Sequence, residues 1–163
     1  SKFEQVCETN TRHTAWHRAT QAMASPRSWT HDANNLQVVQ LAGSVYTVRW
    51  EVEYTDQFEI WWESLAEEDQ DRIAAAVRLL ASHGPSLGRP AVDQISGSRH
   101  ANMKELRART TRPLFAFDPR RTAILLLGGD KSGLWNRWYE TAIPIADDLY
   151  DGHLATLTDE GDV

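Results

Sequence analysis

The chain has a single cysteine, Cys7. That excludes an intrachain disulfide and a cysteine-based zinc site, and it fits a reducing, cytoplasmic setting. Long apolar runs are also missing. The longest, Ala123-Ile124-Leu125-Leu126-Leu127, falls well short of the roughly 18 residues a membrane span needs and fits a buried strand instead. The first residues hold no apolar stretch of the kind that marks a secretory signal. None of the six histidines (His13, His17, His31, His83, His100, His153) stands in HExxH or comparable ligand spacing, so no metal or other cofactor is expected. A GxSxG elbow and a GxxxxGK[ST] loop are absent as well. What is present is globular: 163 residues, 41% of them hydrophobic, enough for one domain with one core.

The net charge is −6, which by itself argues against nucleic-acid binding. Its distribution argues otherwise. Residues 99–137 carry nine basic and three acidic side chains, residues 44–98 carry four and ten, and residues 138–163 carry none and seven. A +6 island therefore sits in an acidic chain. It either attracts a phosphate backbone or pairs in cis with the acidic helices around it.

Residues 1–45 are polar and read as an extension, with one short helix possible over residues 14–23. Tyr46, Val48, Trp50, Val52 and Tyr54 alternate as on a strand. Thr55 or Asp56 can then cap a helix through Phe58, Ile60, Trp61, Trp62 and Leu65. Glu67, Glu68 and Asp69 open a second helix, with Ile73, Ala76, Val77, Leu80 and Ala81 as its buried stripe and Gly84-Pro85 as its stop. Residues 86–100 read as a loop. Strands are expected over residues 102–109, 112–118 and 121–129, joined by short turns into an antiparallel meander. A glycine loop (Gly128, Gly129, Gly133) then delivers Lys131. A short strand over residues 136–140 and a closing helix over residues 143–157 complete a compact α+β domain, with an acidic tail at 158–163.

Alternation puts Glu105, Arg107 and Arg109 on one face of their strand and Lys104 and Leu106 on the other. With Leu106 toward the helices, Glu105 and Arg107 face the open side of the sheet, where Arg112, Lys131, Arg137 and Tyr139 can join them. Glu can accept a proton from a ribose 2′-hydroxyl, Arg can grip phosphate oxygens, Lys or Arg can stabilise phosphorane charge, and Tyr can stack on a base. Arg99 and His100 are further candidates for contacting RNA. The same residues would also serve as a plain surface ion-pair network.

Ordered motifs favour the first reading. They are Tyr54-Thr55-Asp56-Gln57-Phe58-Glu59, Gly84-Pro85-Ser86-Leu87-Gly88-Arg89-Pro90, Gly97 through Arg107 with its Met103-Lys104-Glu105-Leu106-Arg107 end, Phe115-Ala116-Phe117-Asp118-Pro119-Arg120-Arg121, Gly129-Asp130-Lys131-Ser132-Gly133, Arg137-Trp138-Tyr139 and Pro144-Ile145-Ala146-Asp147. In this series the chain resembles the RelE/ParE superfamily of bacterial toxins, and within it the HigB-like, phage-related branch.

The resemblance implies a microbial-RNase fold over residues 46–157, a small twisted antiparallel sheet on an N-terminal helical hairpin, closed here by a C-terminal helix. It implies the toxin of a type II toxin–antitoxin pair, cleaving mRNA on the ribosome without a metal, with a helix-turn-helix antitoxin as partner. By position, Arg112 matches the phosphate-binding arginine, Glu105 the general base, Lys131 the basic residue serving the leaving group or phosphate, and Tyr139 the base-stacking aromatic. Lys104 and Arg107 match backbone-gripping neighbours. A ParE-like toxin acting on DNA gyrase by binding, or a degenerate antitoxin-binding domain, would need no Glu105 or Tyr139. Two departures stand out. Pro113 inside a strand puts Arg112 on an edge or a bulge, and Leu134-Trp135-Asn136 resembles an insertion between Lys131 and Tyr139.

Overall fold

The computed structural model describes residues 50–133 and 135–162, together with the backbone of three short strands that precede them. Those strands are β1 (Trp16–Arg18), β2 (Val39–Leu41) and β3 (Ser44–Tyr46). Most of the 1–45 extension lies outside the described residues. Of the helix expected over residues 14–23, only the β1 stretch is described, and it is a strand.

The strand expected over residues 46–54 is not continuous. Tyr46 closes β3, and the next strand, β4, runs Val52–Thr55. All four β4 residues are buried, so the expected in–out alternation does not hold. The reason is position: β4 is interior, with β1 on one side and β8 (Ala123–Asp130) on the other, and a strand buried on both faces loses its period of two.

Thr55 caps α1 (Asp56–Glu63) as its sequence anticipates, accepting from the Phe58 N–H at 3.0 Å. Its hydroxyl also donates to the Leu126 carbonyl on β8, tying the cap to the sheet. Helix α2 (Glu67–His83) opens on Glu67, Glu68 and Asp69 in its first turn and buries Ile73, Ala76, Val77 and Leu80. Gly84, at φ 56°, ends it. The region read as a loop after α2 contains a short strand, β5 (Val92–Gln94). Then come β6 (Lys104–Leu106) and β7 (Thr111–Phe117), and β8 completes the meander.

The sheet order is β1-β4-β8-β7-β6-β5. Four of its pairings are antiparallel, but β4 and β8 run parallel. The expected all-antiparallel sheet is therefore mixed. The chain leaves β4 through two helices before it returns, and a crossover of that length permits parallel pairing. The final helix, α3 (Trp135–Glu160), is one element with Pro144 inside it. The expected short strand over residues 136–140 is its first turns, and the helix extends past Leu157 into the expected tail.

The sheet has a core on each face. Val52, Tyr54, Leu106, Phe115 and Leu125 pack with Phe58, Ile73, Val77 and Leu80 of α1 and α2. Met103, Leu114, Ala116, Ile124 and Leu126 pack with Ala142, Ile143, Ala146 and Tyr150 of α3. The face expected to be open is thus largely covered by α3. Its beginning, where Tyr139 lies, meets β6 and β7 at the end where Glu105 and Arg112 stand.

Candidate active site

Glu105 pairs in register with Asp93 on β5 and Leu114 on β7. Leu114 belongs to the α3-side core, and the Glu105 carboxylate reaches the side chain of Tyr139 on that helix. The carboxylate is 5% exposed, so its polar neighbours decide its behaviour. Arg107 Nε donates to Oε1 at 2.9 Å, Arg112 Nε lies 3.9 Å from the same oxygen, and the Tyr139 hydroxyl donates to Oε2.

Arg112 is buried too. Its Nη1 donates to the carbonyls of Arg109 at 2.7 Å and Thr111 at 2.8 Å, which fixes the guanidinium against the β6–β7 turn. Arg109 forms that turn with φ 57°. The strand carrying Arg112 is interior, so the edge placement foreseen from Pro113 does not occur. Pro113 is accommodated because the β6 ladder reaches only Leu114 and Phe115, and because a register shift separates those two residues.

Tyr139 is positioned by an unusual pair of glycines. Gly128 and Gly129 belong to β8, within the strand expected over residues 121–129 and not in the loop that follows it. A Cβ on Gly129 would fall 2.2 Å from the Trp138 ring, and one on Gly128 would fall 2.3 Å from the Trp61 ring. The two indoles therefore lie directly on backbone, Trp61 from α1 and Trp138 from α3. Trp138 in turn packs on Tyr139 with ring centroids 5.0 Å apart. Burial, and then the hydrogen bond to Glu105, push the Tyr139 phenol above its usual range, which keeps it protonated at neutral pH.

Lys131 is exposed just beyond β8, and its backbone N–H donates to the Thr110 carbonyl at 2.7 Å. That hydrogen bond sets it beside the β6–β7 turn, with Arg109 and Arg112. Arg137 is exposed in the first turns of α3. Lys104, half-buried, alternates onto the face opposite Glu105.

Arg99 and His100 are elsewhere. Arg99 pairs with Asp148 at 2.8 Å and Asp151 at 2.5 Å, and His100 Nε2 lies 2.7 Å from Asp151. Tyr139 and Asp151 are twelve residues apart on α3, about 18 Å at 1.5 Å per residue. Sequence reasoning also passed over Asp93, which accepts from Arg107 Nη2 at 3.0 Å. Its strand is three residues long, too short for periodicity to reveal. Among the described residues no group of three or more His, Cys, Asp or Glu is arranged to hold a metal ion.

Residues 60–151 match the family described as Phage derived protein Gp49-like. Two proteins of Mycobacterium tuberculosis are close in sequence. One, named "Putative toxin HigB3", is 51% identical over 102 residues, covering 61% of this chain and 90% of that protein. The other, named "Putative toxin HigB2", is 42% identical over 118 residues, covering 69% of this chain and 58% of that protein. Among solved structures, a chain of the RelB-RelE antitoxin-toxin complex from Methanococcus jannaschii aligns with TM-score 0.43 at 10% identity, over 52% of this chain and 96% of that one. The RelBE2 complex from Mycobacterium tuberculosis aligns with TM-score 0.38 at 21% identity, over 54% and 98%. The chain belongs to the Gp49-like family and, within it, is a relative of the HigB toxins.

Proposed function

We propose that this toxin is a ribosome-dependent mRNA endonuclease that needs no metal and is held in check by a cognate antitoxin, of helix-turn-helix type, in the cytoplasm. The observation that carries this reading is the buried Glu105 carboxylate, ringed by Arg107, Arg112 and Tyr139. A carboxylate held among cations beside a half-buried aromatic is suited to RNA chemistry.

In this mechanism Glu105 takes the proton of a ribose 2′-hydroxyl, which enters at Oε2 in place of the Tyr139 hydroxyl. The 2′-oxygen attacks the adjacent phosphorus, and the bond to the 5′-oxygen breaks. The products are a 2′,3′-cyclic phosphate and a 5′-hydroxyl. Arg112 and Arg107 balance the charge that grows on the phosphoryl oxygens. Lys131 gives a proton to the departing 5′-oxygen, or steadies the phosphate while that oxygen takes its proton from water, and the Tyr139 ring stacks on a base. Arg109 and Arg137 grip the RNA backbone near the cut, with Lys104, on the other face of β6, and Arg99 and His100 as more distant contacts.

The test is induced expression with translation and mRNA integrity as readouts. The wild type is expected to arrest growth with fragmented mRNA, and a Glu105→Ala, Arg112→Ala double variant to do neither. Intact mRNA with the wild type, or full toxicity of the double variant, would sink the reading. Arrest with intact mRNA and impaired gyrase supercoiling would point to ParE-type action instead.

A further inference from the structure

Asp93 and Glu105 occupy directly opposed positions on β5 and β6. Like charges in that arrangement repel and destabilise a sheet. Here one guanidinium bridges them. Arg107 donates through Nε to Glu105 Oε1 at 2.9 Å and through Nη2 to Asp93 Oδ2 at 3.0 Å. Its backbone is fixed as well, since its N–H donates to the Ala91 carbonyl at 2.7 Å. Asp93 is itself held from the far side, where Arg89 Nε donates to Oδ1 at 3.0 Å and Arg89 Nη2 lies 2.9 Å from Oδ2. These contacts, the Arg89 hydrogen bond first, keep the Asp93 carboxyl below the usual carboxylate range, so it is ionised at neutral pH.

From this geometry we infer that Asp93 is a positioning residue that acts through Arg107. A guanidinium is planar and carries five N–H donors. Anchoring Nε on one carboxylate and Nη2 on another fixes the plane, and with it the direction of the remaining donors. Arg107 is about one-third exposed, with 36% of its side chain open to solvent. A long side chain held by Glu105 alone would sample several rotamers, at a cost in order that Asp93 meets before any ligand arrives. The inference rests on the proposed cleavage at Glu105, because that reading gives the fixed donors a phosphate to meet. Neither Arg112, whose Nη1 is held by backbone carbonyls, nor Tyr139 on α3 replaces this second anchor.

The experiment has two readouts on the full chain. The first is the Arg107 Nε–H cross-peak in a proton–nitrogen spectrum, assigned with Arg107→Lys. It is expected to be sharp and slowly exchanging in the wild type, broadened or lost in Asp93→Ala, and recovered in Asp93→Glu. An unchanged cross-peak in a folded Asp93→Ala protein would overturn the inference. The second is single-turnover mRNA cleavage on ribosomes. Asp93→Ala should slow it about tenfold, within the range that a misplaced active-site group costs. That loss should disappear when Arg107→Ala is already present, because the two residues then act as one unit. Additive losses would mean that Asp93 acts independently of Arg107, and would also overturn the inference. If the cross-peak behaves as stated while no variant and no wild type cleaves RNA, Asp93 still positions Arg107 and the nuclease reading alone fails.

Discussion

Glu105 receives a hydrogen bond from a strand neighbour and another from a helix, and each contact makes a different prediction. Glu105→Gln keeps the shape and one acceptor oxygen but loses the charge that takes the proton. Cleavage should fall by about 10²- to 10⁴-fold, the usual worth of a general base, with the fold intact by circular dichroism. Retained cleavage would remove Glu105 from the mechanism. Tyr139→Phe deletes the donor to Oε2 and keeps the ring. It should cleave within about tenfold of the wild type, whereas Tyr139→Ala should lose the stacking contribution of about 1–3 kcal/mol per base. Equal losses in the two variants would show that the hydroxyl, not the ring, is what cleavage needs. Most of these residues were legible because their types announce chemistry. Asp93 was not, since an isolated aspartate in a glycine- and proline-marked stretch looks like any turn residue.

At the scale of elements, α2 was read nearly whole, because a helix with an acidic start, a long apolar stripe and a terminal glycine satisfies every local rule at once. Helix α3 was not. Pro144 looks like a boundary, at roughly 3 kcal/mol for an interior proline. Yet Ala142, Ile143, Ala146 and Tyr150 on either side of it are buried against the sheet, and that packing carries the helix through. Residues 136–140 read as a short strand, and Gly128-Gly129 read both as the end of a strand and as the start of a glycine loop. Their meaning is mutual: the glycines are bare so that Trp61 and Trp138 can lie on β8. Gly129→Ala should therefore push Trp138 and the start of α3 away from the strand. A stability loss of about 1–3 kcal/mol is expected from such overpacking, along with weaker cleavage as Tyr139 moves from Glu105. Gly88→Ala, where a Cβ meets nothing within 4 Å, is the control and should leave both unchanged. Thermal melts of the two variants decide it, and equal melting temperatures would contradict the account.

Across the whole molecule, the basic island divides in two. Arg99 faces Asp148 and Asp151 of α3, and Arg120 faces Asp118 at 2.7 Å and Glu53 at 3.0 Å. Apart from Asp118, which lies two residues from Arg120, these partners are far away in sequence, where the charge tally counted but could not place them. The other half, from Arg107 to Arg112 with Lys131 and Arg137, gathers at the opposite end near Glu105. Thus one end of the fold is an internal ion-pair network. There Asp118 is buried with His153 Nε2 at 2.9 Å and the Thr122 N–H at 2.9 Å. Burial alone would raise the Asp118 carboxyl, but hydrogen bonds from His153, Thr122 and Arg120 outweigh it and the net direction is down. A carboxyl lowered in the folded state adds stability above its ordinary value near 4 and loses it as pH falls through the lowered value. Asp118→Asn should therefore melt lower than the wild type at pH 7, with the gap closing in acid. A gap independent of pH would contradict that linkage.

The central claim, that the Glu105 end of this fold cuts mRNA on the ribosome, is tested most directly by mapping RNA ends. Purified toxin would be added to ribosomes translating a defined message, alongside Glu105→Gln and Arg112→Ala. The account predicts discrete cuts within the codon being decoded, ending in 2′,3′-cyclic or 3′-phosphate, made by the wild type and lost in both variants. An uncut message with the wild type, or the same cuts made by the variants, would contradict it.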